Sequence, residues 1–357
     1  MTTDIALVAA WDQVARATAT SALLVDLPDA LVIQHDLSPD GELRRRCWDA
    51  TGIVETDIVT LEHGCISCAT REDLVPALAD LLERRTWGHV VVSLPLTAAP
   101  EAVTWQLREA IRTGLIDARL ATILAVADES TLVEDIFGDD LLEDRGLTLS
   151  LTDERAVGEA ACAQLDFADV IATLGEPDAT TNAVLEHLVG DRGRARVHHL
   201  DAAALMSRSH DFLAAQRRTD PTGPHHHRSV DCHGVWTLVL SSDRALHPGR
   251  LYEQVELIGA GRLRSRGLTW VPSRPQMMVA WDGAGGQLSI GDAGPWASER
   301  ERHTRLVITG IDAADRERVE RAFRDILLTD WEASRVNDWD IDDGLGLWLG
   351  TAEQEEA

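Results

Sequence analysis

Over the first 200 residues, short apolar runs alternate with stretches of helical periodicity, and this alternation restricts the possible folds more than any other feature of the chain. The runs are Ile5–Ala10, Ala30–His35, His89–Leu94, Thr122–Ala127, Val170–Leu174 and Ala195–Leu200. Between them, Leu74, Leu78, Leu81 and Leu82 fall at helical spacing within Arg71–Arg84, and Pro100–Thr113 shows the same pattern. Strands that alternate with helices predict a mostly parallel sheet covered by helices on both faces, an α/β fold.

The pattern changes after residue 200. Residues 201–229 end in QRRTDPTGPHHHRS and are expected to be a linker. Residues 230–335 predict a small α+β domain with a mostly antiparallel sheet. Its strands are Val235–Ser241, Leu268–Pro272, Met277–Trp281, Gln287–Gly291 and Thr304–Thr309, and its helices are Pro248–Gly259 and Asp312–Trp331. Trp236, Trp270, Trp281 and Trp296 are expected in its core. Residues 336–357 form an acidic tail. Its Trp339, Leu345, Leu347 and Trp348 suit either a groove on this chain or on a partner, or a loose terminus.

The net charge of −27 opposes docking on phosphate backbones, so direct nucleic-acid binding is not expected. A basic protein partner or a cation fits that charge better, although an acidic surface also serves solubility alone. No apolar run approaches the roughly 18–20 residues that span a bilayer, and the first residues, MTTDIALVAAWD, lack a signal-peptide pattern. A cytoplasmic, membrane-free protein is expected. All 33 basic residues are arginine.

Among five cysteines, only Cys65 and Cys68 are closely spaced, within LEHGCISCATREDL. A Cys-x-x-Cys pair at a helix entry lets two thiolates reach one soft cation such as Zn²⁺, and helix amides are expected to lower the thiol pKa values. Glu62 and His63 just upstream are candidates to complete a four-ligand shell. A thiol–disulfide centre and two merely buried small side chains are the competing readings. Another group of histidines, His225, His226 and His227, precedes Cys232 and His233, and it suits either weak metal binding or a polar linker. Asp231, Cys232 and His233 are sequence neighbours, and on a strand they would point to alternating faces.

An absence is equally informative. A phosphate-binding loop after the first strand needs glycines whose backbone amides wrap phosphate oxygens, and a lysine. Here Ile5–Ala10 runs into WDQVARATAT, no glycine precedes Gly41, and the nearest basic residue is Arg16.

LEHGCISCATREDL resembles the Gly-Cys-x-Cys-Cys-x-x-Arg-x-Asp-Leu segment of the CobW-type metallochaperone GTPases. The segments GVWTLVLSSDRALHPGRLYEQVE, RSRGLTW, RPQMMVAW, GGQLSIGDAGPW and RHTRLVITG resemble that family's C-terminal domain. The resemblance implies a P-loop-NTPase-like first domain, a CobW-type second domain and zinc as the metal. It also marks departures. The phosphate loop is missing, Ser93 stands where the family has an acid, and no Asn-Lys precedes Asp178 in TLGEPD, where the family reads guanine. Ser67 replaces the middle cysteine. GTP and Mg²⁺ are therefore not expected as cofactors. The Leu-Tyr-Glu, Arg-x-Arg-Gly and Gly-Gly…Gly-x-Trp patterns resemble an actinobacterial branch linked to zinc starvation, some of whose members recruit a ribosome hibernation factor. With the nucleotide elements missing, the family resemblance implies a non-hydrolysing, zinc-linked adaptor, and the charge together with the branch points to a basic partner, a hibernation factor or ribosomal protein. The alternatives are a zinc metallochaperone that still binds GTP and an active zinc chaperone that delivers metal without nucleotide control.

Overall fold

The computed structural model describes residues 2–61, 65–223, 230–335, 339 and 343–350. The chain divides into two units. The first comprises Met1–Asp135, Asp140–Thr181 and Asp191–Thr219, and the second Ile136–Asp139, Asn182–Gly190 and Asp220–Ala357.

The first unit is built on eight strands: β1 (Thr3–Ala10), β2 (Ala30–Leu37), β3 (Glu42–Asp49), β4 (Gly52–Thr60), β5 (His89–Ser93), β6 (Ala118–Ala127), β7 (Val170–Thr173) and β8 (Gly193–Arg196). They lie in the order β4-β3-β2-β5-β1-β6-β7-β8. The six strands from β2 to β8 in that order pair in parallel, and β3 and β4 extend the sheet as an antiparallel hairpin. Strand order reverses at β1, which has β5 on one side and β6 on the other. The central strands are near-continuous Val, Ile, Leu and Ala because both faces are covered. One face buries Ile5, Leu7, Ile33, Val90, Val92 and Ile123, and the other Ala6, Val8, Val32, Val91, Leu124 and Val126.

The helices, in chain order, are α1 (Gln13–Asp26), α2 (Ile66–Ala69), α3 (Val75–Arg84), α4 (Pro100–Arg112), α5 (Leu132–Phe137), α6 (Val157–Phe167), α7 (Ala179–Val189), α8 (Ala202–Met206) and α9 (Phe212–Thr219). The single helix expected over Arg71–Arg84 is in fact a π-helical turn, Thr70–Leu74, that runs into α3. Residues 202–219, assigned to a linker on composition, instead form α8 and α9. Leu205, Met206 and Phe212 are buried in the first unit's cores. The polar tract that follows includes His225, His226 and His227, which lie outside the described residues.

In the second unit, β9 (Trp236–Ser242), β10 (Leu263–Thr269), β11 (Met277–Ala284), β12 (Gln287–Pro295) and β13 (Thr304–Gly310) form an antiparallel sheet in the order β12-β11-β10-β13-β9. Helices α10 (Pro248–Gly259) and α11 (Ala313–Ile326) share its core, and α12 (Asp330–Ala333) and α13 (Gly346–Leu349) follow. The helix expected to reach Trp331 stops at Ile326. Leu327 leaves the helical conformation, and Thr329 caps α12 afresh. The four tryptophans are buried as expected. Parts of the tail dock on this same unit: Leu345 is fully buried, Trp339 packs edge-on against His247, and Asp343 pairs with Arg274. Among the described residues, no helix is long and apolar enough to cross a membrane.

Candidate functional site

The crevice outside the carboxyl ends of parallel strands, at the point where strand order reverses, is where proteins of this architecture place their ligands. In this chain that point lies at the end of β1, and side chains fill it. Only Trp11 and Asp12 connect β1 to α1. Asp12 caps the helix, accepting from the amide of Ala15 at 2.7 Å. A carboxylate thus sits on the helix N-terminus, where an anionic ligand would otherwise be drawn by the same amides and the same dipole. The Trp11 side chain is buried. Its indole donates to Asp135 Oδ2 at 2.9 Å, and the same oxygen accepts from Thr131 Oγ1 at 2.7 Å.

Further ties close the crevice. Gln164, fully buried on α6, donates to the carbonyls of Ala10 at 3.3 Å and Ala98 at 3.0 Å, which joins the chain leaving β1 to the chain leaving β5. Thr97 holds a left-handed backbone (φ 64°), costly for a β-branched residue. Its amide donates to Ala10 O at 3.0 Å and its hydroxyl to Leu147 O at 2.9 Å. Arg16 is 4% exposed and spends its guanidinium within the domain, on the carbonyls of Leu94 (2.9 Å) and His35 (3.3 Å) and on Asp36 (2.6 Å). Ser93 is buried and accepts from Thr20 Oγ1 at 3.3 Å. At the end of β7, the Glu129 carboxylate accepts from Gly175 N at 2.6 Å, and Asp178 accepts from Thr181 N at 2.7 Å at the start of α7.

The cysteine turn is built differently. It follows β4, whose outer face is largely exposed. Cys65 caps the short helix α2, its sulfur accepting from Cys68 N at 3.2 Å. Cys65 is exposed and Cys68 is 8% exposed, so the pair is open to solvent from the Cys65 side. The expected lowering of the thiol pKa values does not hold for Cys68. Its thiol is raised, first by the hydrogen bond it shares with the Cys65 sulfur and then by burial. The four residues of α2 supply too short a dipole to reverse this. A thiophilic cation that binds two such thiols displaces their protons. Glu62 and His63 lie outside the described residues. Among the described residues, no group of three or more His, Cys, Asp or Glu side chains is placed to hold an ion. Within the described residues, the turn therefore presents two neighbouring sulfurs, one exposed and one buried.

Beneath this turn lies a network that sequence reasoning did not detect. Asp73, buried on the π-helical turn, pairs with His35 Nε2 at 2.7 Å and with Arg45, which also reaches Glu55 at 2.6 Å. Burial pushes the Asp73 carboxyl up, but His35 and Arg45 outweigh it and hold the group below the ordinary carboxylate range. This network anchors the start of α3 to β2 and β3, and so fixes the helix that carries the cysteines' C-terminal flank. Cys47, behind it, has its thiol pushed up to about 11 by burial and is a structural thiol.

The fold is thus a mostly parallel α/β unit and, after it in sequence, an antiparallel α+β unit. Residues 33–191 match the CobW/HypB/UreG nucleotide-binding domain, and residues 235–327 match the cobalamin synthesis protein cobW C-terminal domain. The chain carries both domains of the CobW family and belongs to it. The first match begins beyond β1 and α1. The chain is similar over its full length to "Zinc chaperone Rv0106" of Mycobacterium tuberculosis (strain ATCC 25618 / H37Rv). The two are 27% identical over 396 residues, covering 98% of this chain and 94% of the relative. "Zinc-regulated GTPase metalloprotein activator 1" of Dictyostelium discoideum is 23% identical over 308 residues, covering 79% of this chain and 63% of the relative. Among solved structures, the Zn(II)-bound YjiA GTPase from E. coli aligns with a TM-score of 0.36 at 14% identity, covering 91% of this chain and 99% of that one.

Proposed function

We propose that this protein handles zinc through Cys65 and Cys68 without binding or hydrolysing GTP, and that it acts as a cytoplasmic adaptor in zinc homeostasis. The observation that carries the proposal is the contrast at two turns of one domain. The two-residue link after β1 holds a buried tryptophan and a capping carboxylate, whereas the link after β4 holds an exposed, paired thiol. The zinc named in the relatives' descriptions supports the choice of metal. Zn²⁺ would take the two sulfurs, with His63 and Glu62 as the nearest further ligand types in the sequence.

The alternative, a chaperone that keeps GTP with Arg16 in place of a lysine, meets two obstacles. Arg16 is committed to carbonyls and to Asp36, and its planar fork does not replace a lysine in a phosphate loop.

The partner belongs to the same proposal. At −27 the chain repels phosphate backbones and attracts a basic protein, such as a ribosome hibernation factor or a ribosomal protein. Trp339 and Leu345 pack on their own unit while Leu347 stays exposed, so it is the acidic charge, and not those two packed side chains, that would draw the partner. The decisive test for zinc is competition with a chelating dye. Cys65→Ser/Cys68→Ser should abolish tight binding, and retention of wild-type affinity would overturn the assignment. The partner is tested by sedimentation with ribosomes at two salt concentrations, with and without a basic factor. Salt-insensitive binding by this chain alone would contradict the adaptor reading.

A further inference from the structure

The second unit contains another pairing of thiol and imidazole, far from the cysteine turn in sequence. Cys232 Sγ lies 3.7 Å from His187 Nε2. The two residues are 45 apart in sequence, one on α7 and one in the turn before β9. Two ligands of a tetrahedral zinc ion, with Zn–S of about 2.3 Å and Zn–N of about 2.1 Å, sit about 3.6 Å apart. The observed separation therefore suits an ion held between them with little side-chain movement.

The surroundings orient the imidazole for that task. His187 is 1% exposed, and its Nδ1 lies 2.8 Å from Thr237 Oγ1. Thr237 Oγ1 lies in turn 2.8 Å from Thr309 Oγ1, across the β9–β13 pairing. When Thr237 donates to Thr309, it accepts the Nδ1 proton, and the Nε2 lone pair then faces the sulfur. A ring nitrogen fixed by its partner, with the other nitrogen aimed at a ligand position, is the arrangement that metal-bound histidines use. On the other side, the Cys232 turn is pinned by reciprocal backbone hydrogen bonds between Cys232 and Val235, at 3.0 and 2.9 Å. His233 (φ 49°) and Gly234 (φ 82°) both take left-handed backbone in that turn. A histidine held in that region signals a turn that its surroundings enforce. Cys232 itself is half-buried, which leaves a route for an ion to the sulfur.

We infer that Cys232 and His187 form a second, exchangeable site for a thiophilic divalent cation, separate from Cys65 and Cys68. On binding, the thiol proton leaves to solvent, and the sulfur and Nε2 bind the ion. Among the described residues these two groups are the ligands, and an incomplete protein shell makes a weaker, faster-exchanging site than a closed four-ligand one, as suits transfer rather than permanent retention.

The test uses the full chain carrying Cys65→Ser/Cys68→Ser, titrated with Co²⁺ under anaerobic conditions. The reporter is the near-ultraviolet thiolate-to-cobalt charge-transfer band, which histidines elsewhere cannot mimic. The band is expected at about one equivalent of bound metal. Adding Cys232→Ser should remove it, and His187→Gln should weaken binding at least tenfold. Thr237→Val, which removes only the orienting hydroxyl, should weaken it by about 10-fold. Absence of the band in the double-serine protein, or its persistence after Cys232→Ser, overturns the inference. Should Cys232→Ser fail to fold, peptide-resolved alkylation of the double-serine protein decides the matter. Zinc should slow modification of Cys232 at least tenfold, and an unchanged rate overturns the site. Failure here leaves the Cys65–Cys68 proposal standing, because that pair is read separately in the Cys232→Ser protein.

Discussion

The turn after β1 and the turn after β4 belong to one sheet yet are finished in opposite ways. The first is closed. Trp11, Asp12, Arg16, Gln164 and Thr97 each direct a polar group to a partner inside the domain, and the helix N-terminus is capped by its own carboxylate. The second is open, with one sulfur exposed and its neighbour just beneath it. A fold that ordinarily places its ligand at the strand-order reversal can thus retain the architecture while the reversal point becomes part of the core.

If the β1 crevice is core, emptying it should cost stability and create no function. Trp11→Ala should destabilise the protein by about 4 kcal/mol, as expected for a buried tryptophan, with no GTP binding gained; denaturant unfolding monitored by circular dichroism measures it. A loss under about 1 kcal/mol would mean that the indole is dispensable packing and the crevice less closed than its hydrogen bonds indicate.

Acid should separate the two regions next. Asp36 and Asp73 are both held below the ordinary carboxylate range: burial pushes each up, and Arg16 for Asp36, His35 and Arg45 for Asp73, more than compensate. Groups with depressed folded-state pKa values contribute their full stability above the unfolded value near 3.9 and lose it as pH falls through the folded value. These carboxylates therefore stay ionised between pH 8 and 6. The cysteine thiols, above Asp73, do not share that indifference, because Cys68 has its thiol raised and must lose its proton to bind metal. Zinc affinity should fall by about tenfold per pH unit for each thiol deprotonated on binding. Chelator competition at pH 6, 7 and 8 measures the slope, and a flat profile would mean that the thiols are not the ligands.

The smallest effect concerns the cap. Asp12→Ala should cost about 1 kcal/mol, the ordinary value of an N-cap, and should leave zinc affinity unchanged. Thermal unfolding together with the same zinc competition would detect any coupling between the two turns.

The sequence made some of this legible. Strands buried on both faces appear as continuous Val, Ile and Leu, so β1, β2, β5, β6 and β7 were readable. The β3–β4 hairpin was not, because ELRRRCWD and GIVETDIVT place charges on an exposed edge and resemble loop sequence. The π-helical turn at Thr70–Leu74 keeps leucines at helical spacing and so is hidden within a helix pattern. Missing glycines and the missing lysine were visible at once. That Trp11 fills the space depends on Asp135, 124 residues away, and the role of Arg16 depends on a carbonyl 78 residues away. Such partners are set by tertiary packing and leave no local signature. Cys65 and Cys68 were legible because their spacing is local, whereas the approach of His187 to Cys232 required the fold.

The most direct measurement of the central claim is an equilibrium titration of the full-length protein with a fluorescent GTP analogue in the presence of Mg²⁺, with and without Zn²⁺. No saturable binding at micromolar nucleotide is expected under either condition, because the helix N-terminus and the crevice beside it are occupied by Asp12 and Trp11. Saturable binding that unlabelled GTP displaces would contradict the claim and restore nucleotide control of the zinc site.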